Sequence, residues 1–527
     1  MTNVKDSQHV MVEDILLNAM LMTDGYKLGH HCMYPKGMTQ LFSNFTPRSN
    51  KYFPEANEGV VVFGIQYFIK KYLINTFNNF FFNLDEDTVR KTYTDLTTSF
   101  LGEAVAKKVG VDHIIALHKL GYLPIRIKAL PEGSYCPIGC PVLTITNTHP
   151  DFAWLTNYLE SILSNILWQP MTSATISDVY RRELVRHAMK TGFYNPNDLS
   201  NLDFLCHDFS MRGMSSLETT ITSGMAHLTS FCGSESVPAI KMIEYYYKAD
   251  PKKELIAATV PATEHSVECS NATNDSGIPD DEIYFKRMLD EFPDGIISIV
   301  ADGYDYWYFI TKIVPKYKEQ IMSRNGRVVI RPDSGDPVKI ICGDSEANDQ
   351  FVKMGSYEFL WNTFGGTFNK KGYKVLDTHI GLLYGDSINM KRQRMIYAQL
   401  EDKMFAATNL ILGIGSFSFQ MNTRDQLAFA CKATWCSVNG KSIEIFKDPK
   451  TVTGTPKKSH RGLIMVVKDE NGKYKPIDRV SIEDEASDKN ELKTVFEDGK
   501  LVKEFTLAEI RKTRQDAVHK LLDGTID

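Results

Sequence analysis

Short apolar runs that end in a polar residue or a glycine recur between residues 204 and 416. In chain order these runs span 204–206, 257–263, 295–300, 327–330, 379–383 and 410–412. Each run has the length of a β-strand and is apolar on both faces, as in the strands of a buried parallel sheet. The intervening stretches 215–228 and 281–292 have helical character. Alternating strands and helices predict βαβ units.

The residues that follow these runs carry side chains suited to chemistry. In chain order they are His207-Asp208, Glu264-His265, Asp302, Arg331-Pro332-Asp333, Gly385-Asp386 and Gly413-Ile414-Gly415-Ser416. In an α/β barrel, the catalytic groups stand at the carboxyl ends of the parallel strands. The repeated pattern therefore predicts an α/β, TIM-like barrel enzyme.

The rest of the chain has a different pattern. We predict strands at 123–130 and 142–146, and helices at 59–81, 85–109 (one or two), 152–192 (interrupted at Pro170) and 507–522. Asn471-Gly472 and Asp498-Gly499 are signals for two-residue hairpin loops. The expected organisation is a barrel at 180–425 and a second, mixed α+β domain built from 1–179 and 426–527.

Charge and cysteine usage narrow the class of protein. The formal net charge of -5 gives no reason to expect nucleic acid or an anionic membrane as a partner. Residues 1–14 are polar and acidic, unlike a secretory signal, and no apolar run is long enough to span a bilayer. The nine cysteines lack zinc-site spacing, so we expect reduced thiols and a cytoplasmic protein.

Arg331 to Pro337 is the densest cluster of candidate functional residues. Arg331 offers a planar fork of donors to phosphate or carboxylate, and Asp333 can hold a ribose hydroxyl or magnesium-bound water. An ion pair that closes the strand explains this cluster equally well. The glycines at 385, 413 and 415 suit backbone binding of phosphate, although tight turns are the alternative. Arg424 and Lys432 follow and would add positive charge, or remain solvated surface residues.

His265 and Phe209 are the other candidates. Asp302, at the end of the next predicted strand, is a better partner for His265 than Glu264, which would point to the opposite face of its own strand. A histidine oriented by a carboxylate can act as a base or a nucleophile, whereas a single buried histidine would be structural. Phe209, followed by Arg212, would either stack on a flat heterocycle or belong to the core.

These residues together resemble the nicotinamide phosphoribosyltransferase family over most of the chain. The matching motifs are Thr23-Asp24-Gly25-Tyr26-Lys27 with His30, His207-Asp208-Phe209 with Arg212-Gly213 and Ser215-Ser216, Val260-Pro261-Ala262 with Glu264-His265-Ser266, Asp302 with Tyr304-Asp305, Ile330-Arg331-Pro332-Asp333-Ser334-Gly335, Gly385-Asp386, Thr423-Arg424-Asp425 and Phe446-Lys447-Asp448-Pro449.

The resemblance implies that nicotinamide attacks phosphoribosyl pyrophosphate, giving nicotinamide mononucleotide and pyrophosphate in NAD salvage. It implies catalytic roles for His265, Asp302 and Asp333, with His265 phosphorylated by ATP. Mg²⁺ would be bound through pyrophosphate and water near Asp302 and Asp333, without a direct protein ligand. The implied substrate-binding residues are Asp24, Tyr26, Arg48, Phe209, Arg212, Glu235, Thr259, Ser298, Arg331, Gly385, Asp386, Gly415, Ser416, Arg424 and Lys432.

The same resemblance implies a homodimer with shared active sites. Tyr26, Arg424 and Lys432 would come from the partner subunit, with Tyr26 and Phe209 on opposite faces of the pyridine ring. Arg48 would face the pyrophosphate.

Four positions depart from the family pattern. Glu235 stands where the family has an aspartate that reads the carboxamide, Thr259 and Ser416 replace a serine and a glycine, and Met421 replaces a lysine. The change to Glu235 bears most directly on which base is used.

Three rival interpretations remain. Nicotinate phosphoribosyl transfer is disfavoured by a carboxylate at 235, which would repel an anionic base. A non-catalytic binding protein is disfavoured by the set His265, Asp302, Arg331 and Asp333. A barrel enzyme of unrelated chemistry remains compatible with the strand pattern alone.

Overall fold

The computed structural model describes residues 18–192, 195, 200–447 and 460–523. The acidic start of the chain at 1–14, and Asp448 and Pro449 of the last family motif, lie outside these residues. Among the described helices, none combines the length and the apolar character needed to cross a membrane.

The chain forms two compact units. Of the described residues, one unit contains those within 18–172, 245–248 and 423–513, and the other contains those within 173–244, 249–422 and 514–523. The sequence predicted boundaries at 179/180 and 425/426, beside divisions at 172/173 and 422/423, but it placed residues 514–523 with the N-terminal region, whereas they group with the other unit.

The strands, numbered in chain order, are β1 Met38–Thr46, β2 Val60–Val61, β3 Ile125–Ala129, β4 Tyr135–Cys136, β5 Leu143–Asn147, β6 Cys206–Asp208, β7 Gly233–Ser234, β8 Gly295–Val300, β9 Gly326–Arg331, β10 Gly366–Phe368, β11 Lys374–Leu376, β12 Ile380–Tyr384, β13 Leu410–Ile414, β14 Ala430–Val438, β15 Lys441–Glu444, β16 Leu463–Lys468, β17 Tyr474–Val480, β18 Lys493–Glu497 and β19 Lys500–Leu501.

The helices and helical turns are Ala19–Leu21, Gly25–Cys32, Ile65–Phe68, Ile69–Thr76, Asn78–Phe82, Glu86–Leu101, Glu103–Val109, Asp112–Leu120, Pro150–Phe152, Leu155–Tyr158, Glu160–Thr191, Ser200–Leu202, Met211–Gly213, Leu217–His227, Val237–Tyr247, His265–Asn271, Asp281–Glu291, Tyr306–Tyr308, Phe309–Ile313, Val314–Lys316, Lys318–Ser323, Pro337–Cys342, Gln350–Met354, Ser356–Phe364, Met390–Asp402, Ala407–Asn409, Ser416–Phe419, Arg424–Gln426, Ile482–Ala486 and Leu507–Asp523.

A six-stranded parallel sheet organises the unit that contains most of the candidate site. Its order is β7-β6-β13-β12-β9-β8, and every pairing within it is parallel. Strand β12 is buried along its whole length, and the last four residues of β8 are buried. Five of the six apolar runs therefore form strands of the predicted parallel type, because strands covered on both faces need apolar side chains in consecutive positions.

The run 257–263 does not form the predicted strand. It makes only isolated parallel bridges, from Ala258 to Gly233 of β7 and from Ala262 to Ser298 of β8. Pro261 has no N–H to donate, so a continuous ladder is interrupted at this point. Among the described residues, the sheet thus has six paired strands plus this bridging segment. These pairings confirm the α/β class. They do not show the complete barrel that the sequence predicted.

The other unit contains a seven-stranded sheet in the order β15-β14-β1-β5-β3-β18-β19. Its pairings are antiparallel throughout. The loop between β18 and β19 is the predicted two-residue turn at Asp498-Gly499, and both residues have positive φ angles. The hairpin β16–β17 is also present, but its loop spans 469–473 rather than two residues, because Lys468 pairs with Tyr474.

Two helical predictions need correction. The helix Glu160–Thr191 runs through Pro170 without interruption. Its neighbours Leu167 and Met171 are fully buried, so packing offsets the roughly 3 kcal/mol that an interior proline costs. The helix predicted at 59–81 begins only at Ile65. Gly64 precedes it with φ +92, and a Cβ there would lie 2.7 Å from Cγ of Pro170.

Candidate active site

The carboxyl ends of the parallel strands bring most of the predicted site residues to one edge of the sheet. Parallel strands all end at the same edge, so the residues that follow them are neighbours in space. Phe209 follows β6, Glu235 follows β7, Asp302 follows β8, Asp333 follows β9, Gly385 and Asp386 follow β12, and Gly415 and Ser416 follow β13. Backbone hydrogen bonds between neighbouring strand ends, such as Phe209 N–H to Ile414 O at 2.9 Å, hold this edge together.

His265 and Asp302 form a pair beside the end of β8, the last strand in the sheet order. His265 is the first residue of the helix His265–Asn271, and its Nε2 lies 3.1 Å from Oδ1 of Asp302. The other oxygen of Asp302 accepts a hydrogen bond of 3.0 Å from the backbone N–H of Asp333. The Asp302 side chain is only 3% exposed, whereas that of His265 is 47% exposed. A fixed carboxylate therefore orients an imidazole that solvent and ligands can reach.

Arg331 and Asp333 lie beside this pair. Arg331 Nη2 donates to the backbone oxygen of Thr263, and its Nε is buried without a hydrogen-bond partner in the described part of the chain. Burial raises the pKa of Asp333; the charges of Asp302 and Asp386 add to this effect, whereas Arg331 and His265 oppose it. This region therefore holds several carboxylates and one guanidinium whose donors are not all satisfied.

The ring of Phe209 lies against the backbone of two glycines. A Cβ at Gly413 would lie 2.3 Å from Cδ2 of Phe209, and one at Gly385 would lie 2.9 Å from the same ring. Both distances are far below van der Waals contact, so the ring occupies space that only glycine leaves free at these positions. Phe209 is half-buried and keeps part of its surface open. The ring therefore packs closely against this backbone and still has surface available for stacking.

Glu235 and Thr259 contact each other at the end of β7. The Thr259 hydroxyl donates to Oε1 of Glu235, and both residues are exposed. Ser298 on β8 is buried, and its hydroxyl has no hydrogen-bond partner among the described residues. Its backbone pairs with the same bridging segment, through Ser298 N–H to Pro261 O at 2.9 Å.

The remaining predicted residues of this unit are Arg212, Asp386, Gly415 and Ser416. Arg212 is exposed in the helical turn Met211–Gly213. Ser416 packs beside that turn, since a Cβ at Gly213 would lie 2.1 Å from the Ser416 hydroxyl. Gly415 has no protein atom within 4 Å of a Cβ built on it, so no described side chain requires glycine there. Asp386 is exposed.

Five predicted residues belong to the other compact unit: Asp24, Tyr26, Arg48, Arg424 and Lys432. Tyr26 is 64% exposed, and its ring makes an edge contact with His30 at 5.1 Å between centroids. Asp24 accepts a hydrogen bond from the Ser161 hydroxyl. Lys432 is exposed on β14, and Arg424 lies 3.7 Å from Asp425.

Sequence reasoning missed Glu268. It lies one helical turn after His265 and is fully buried, and neither carboxylate oxygen makes a hydrogen bond of ordinary geometry. Burial raises its pKa to about 8, and the charges of Asp281 and Asp302 add to the effect, while the Gly303 amide and Arg331 oppose it. The spacing of three residues from His265 would have indicated a shared helix face, but the apolar pattern predicted a strand ending there rather than a helix beginning.

Solved structures resemble the fold. A nicotinate-nucleotide pyrophosphorylase from Pyrococcus furiosus matches with a TM-score of 0.57 at 14% identity, covering 99% of this chain and 100% of that one. Human nicotinic acid phosphoribosyltransferase matches with a TM-score of 0.53 at 14% identity, covering 94% of each chain. At this identity the likeness concerns the fold alone.

Family models and relatives of higher sequence identity also match the chain. Residues 204–500 match the Nicotinate phosphoribosyltransferase (NAPRTase) family, and residues 18–127 match the Nicotinamide phosphoribosyltransferase, N-terminal domain. A nicotinamide phosphoribosyltransferase of Acinetobacter baylyi is 44% identical over 96% of this chain and 99% of its own length. One from Mycoplasma pneumoniae is 31% identical over 82% of this chain and 93% of its own length. The chain therefore belongs to the nicotinamide phosphoribosyltransferase family.

Proposed function

We propose that this protein transfers the phosphoribosyl group of phosphoribosyl pyrophosphate to nicotinamide, producing nicotinamide mononucleotide and pyrophosphate for NAD salvage. The observation that carries the proposal is the convergence of His265, Asp302, Arg331 and Asp333 at the carboxyl edge of the parallel sheet, in a chain of this family. A binding scaffold would have no need to crowd carboxylates around Asp333, whose pKa is raised by burial.

The reaction needs charge stabilisation more than covalent chemistry. The nicotinamide ring nitrogen forms a bond to the anomeric carbon while the bond to pyrophosphate breaks, and the ribose gains positive charge in between. The carboxylates of Asp302 and Asp333 face that charge, and Arg331 can offer unsatisfied donors to a phosphate or ribose oxygen. Positioning the two reactants then supplies much of the remaining rate enhancement.

Magnesium fits this site. Asp302, Asp333 and Asp386 supply carboxylate oxygens that could hold magnesium-bound water, and the charges of Asp302 and Asp386 add to the effect of burial in raising the pKa of Asp333. Bound with pyrophosphate, the ion would neutralise the leaving group. The protein's own contribution is to hold the carboxylates in place, and Asp302 is fixed on both oxygens, by His265 and by the Asp333 amide.

His265 is the proposed acceptor of a phosphoryl group from ATP. Its imidazole is accessible, and a buried carboxylate orients it. In the transfer, a ring nitrogen bonds to the γ-phosphorus as the bond to ADP breaks, and Asp302 stabilises the positive charge of the imidazolium. Phosphorylation of a residue next to Asp333 would couple ATP hydrolysis to tighter use of substrate.

Nicotinamide would bind on the Phe209 ring. That ring is seated against Gly385 and Gly413, so stacking on it costs little further ordering. Tyr26 exposes most of its ring, which suits a second stacking face supplied by a partner subunit in a homodimer. Arg424, Lys432 and Arg48 would then act on the phosphates, together with Arg212, Gly415 and Ser416.

Glu235 is the proposed reader of the carboxamide. Its carboxylate is held by the Thr259 hydroxyl, and the buried Ser298 hydroxyl has hydrogen-bonding capacity to spare. The carboxylate accepts a hydrogen bond from the NH₂ group of nicotinamide, whereas it would repel the carboxylate of nicotinic acid. Selection would therefore depend largely on repulsion of the wrong base.

The proposal also includes two expectations from the sequence, a complete barrel and a cytoplasmic location. The bridges from 258 and 262 to the two edge strands support a barrel in which the bridging segment joins both edges of the sheet. The nine cysteines, all within the described residues, form no disulfide bonds, which suits a reducing, cytoplasmic compartment.

A matched pair of aspartates tests the proposal. Asp333→Asn removes a charge at the proposed reaction centre and should lower kcat/KM for nicotinamide mononucleotide formation at least ~100-fold. Asp336→Asn removes an equal charge three residues away, where Asp336 caps the helix Pro337–Cys342 by accepting from the Val338 N–H at 2.9 Å. Asparagine caps as well as aspartate, so this control should retain activity. Equal activity of the two variants would refute the assigned site.

A further inference from the structure

A buried carboxylate without a hydrogen bond of ordinary geometry lies beside the His265–Asp302 pair. Glu268 is fully buried, and neither of its oxygens makes such a bond among the described residues. It lies against the turn after β8, since a Cβ on Gly303 would be 2.5 Å from Oε2 of Glu268. Burying a carboxylate without compensation is costly, and proteins normally pair such a group or use it to bind a metal.

The surrounding groups form a donor set. One ligand atom each from His265, Glu268 and Asp302 lies within 4.8 Å of the other two. His265 Nε2 and Asp302 Oδ1 are 3.1 Å apart. Two ligand atoms bound about 2.1 Å from one metal ion are about 3.0–3.4 Å apart, so Nε2 of His265 and Oδ1 of Asp302 already have the separation of two ligands. Glu268 has one oxygen within 4.8 Å of a ligand atom on each of the other two residues, so metal binding requires its carboxylate to move closer to them.

The environment of the set also suits a metal. The second oxygen of Asp302 is held by the Asp333 N–H at 3.0 Å, the kind of outer contact that fixes a ligating carboxylate. His265 is 47% exposed, so an ion can reach the set from solvent and retain water or another ligand on its open side. An imidazole nitrogen with two carboxylates suits zinc and similar transition metals, whereas Mg²⁺ favours oxygen ligands alone.

We propose that His265, Glu268 and Asp302 bind one divalent transition-metal ion of the zinc class. This site is distinct from the expected magnesium, which would be held through pyrophosphate and water. It has a consequence that rests on the proposed function. Because Nε2 of His265 faces Asp302, Nδ1 is the nitrogen left to attack ATP. A metal on Nε2 replaces the contact with Asp302 that would stabilise the imidazolium and withdraws electron density from the ring, so the metal-bound protein should not accept the phosphoryl group. The ion is therefore an inhibitor of ATP coupling.

Direct metal binding tests the site without any substrate. The full-length protein, stripped of metals with a chelator, is titrated with Zn²⁺ by calorimetry and with Co²⁺ by visible absorption. We expect one ion per chain and cobalt bands without a thiolate charge-transfer band. Glu268→Gln should weaken binding at least ~100-fold, because loss of a ligand should exceed the 10–100-fold typical of outer-shell contacts.

Two controls separate ligation from nearby charge and from cysteine. Glu264→Gln removes an exposed negative charge next to His265, where its carboxylate accepts from the Ser266 hydroxyl, and should leave affinity nearly unchanged. Cys269→Ser removes the exposed thiol on the same helix and should likewise leave it unchanged. Near-ultraviolet circular dichroism establishes that Glu268→Gln is folded.

The inhibitory role has its own readout. Zn²⁺ should block the acid-labile phosphate label on wild-type protein and should not block it on Glu268→Gln. The metal site is overturned if Glu268→Gln binds as tightly as wild type, if cobalt reports thiolate ligation, or if no stoichiometric ion binds. Any of these results leaves nicotinamide mononucleotide formation untouched, so failure of the metal site differs from failure of the proposed function.

Discussion

The packing of the Phe209 ring against Gly413 and Gly385 leads to a specific prediction for a substitution at Gly413. Gly413 lies in β13, and a Cβ at that position would be 2.3 Å from Cδ2 of Phe209 and 2.9 Å from Cα of Gly385. Carbon atoms in contact are normally about 3.5–4.0 Å apart. Gly413→Ala therefore forces the ring to move by more than ~1 Å, because β13 is paired on both sides and cannot retreat.

The size of the effect follows from overpacking. Inserting a methyl group into such a site costs about 1–3 kcal/mol of folding free energy. Displacing the ring also removes stacking worth about 0.5–1.5 kcal/mol, so kcat/KM for nicotinamide should fall roughly tenfold. The KM for phosphoribosyl pyrophosphate should change little, because Phe209 is proposed to contact the base.

Gly415→Ala is the matched control, two residues along the same chain segment. Its backbone is extended with φ -93, and nothing lies within 4 Å of the added Cβ. Urea unfolding should therefore show a loss of about 1–3 kcal/mol for Gly413→Ala and less than ~0.5 kcal/mol for Gly415→Ala. In steady-state kinetics, Gly413→Ala should change kcat/KM for nicotinamide, whereas Gly415→Ala should change the KM for phosphoribosyl pyrophosphate. Equal stability of the two variants, with unchanged use of nicotinamide, would refute this account of the ring.

Three further predictions concern charge and assembly. The pKa of Glu268 is raised from 4.5 to about 8, so between these pH values the folded protein keeps a proton that the unfolded chain releases. With a chelator present, the free energy of unfolding of the wild type should therefore fall, relative to that of Glu268→Gln, by about 1.4 kcal/mol for each unit that the pH rises between these values. A difference in urea unfolding that stays constant with pH would contradict this. Mixing inactive Tyr26→Ala chains with inactive His265→Ala chains should restore activity through shared sites in heterodimers, whereas a fully active monomer by light scattering would exclude sharing. Glu235→Ser should narrow the preference for nicotinamide mainly by raising kcat/KM for nicotinic acid, and an unchanged ratio would assign selectivity to other groups.

The parallel sheet could be predicted because its signal is local. Runs of Ile and Val indicate strands buried on both faces, and the predicted strand 295–300 has the bounds of β8. The segment 257–263 was misassigned because its apolar pattern resembles a strand, while Pro261 and its position between two sheet edges leave only single bridges. The predicted interruption at Pro170 was wrong for a similar reason. Burial of the neighbouring side chains outweighs the free energy that a proline costs inside a helix.

The candidate site was predictable to the extent that its residues follow strands. Asp302 and Asp333 could be located at one edge because parallel strands end together, and their contact follows from the pairing of β8 with β9. Glu268 could not, because its burial arises only when the helix His265–Asn271 packs against the turn at Gly303. The contributions of Tyr26 and Arg424 from a second subunit stay a prediction.

A competition between the two bases tests the central claim most directly. The purified protein is mixed with Mg²⁺, limiting phosphoribosyl pyrophosphate, and equal amounts of nicotinamide and nicotinic acid, and the nucleotide products are separated and identified by mass. We predict that nicotinamide mononucleotide dominates and that omitting either Mg²⁺ or phosphoribosyl pyrophosphate abolishes it. Predominant nicotinate mononucleotide, or no nucleotide from well-folded protein, would contradict the proposed function.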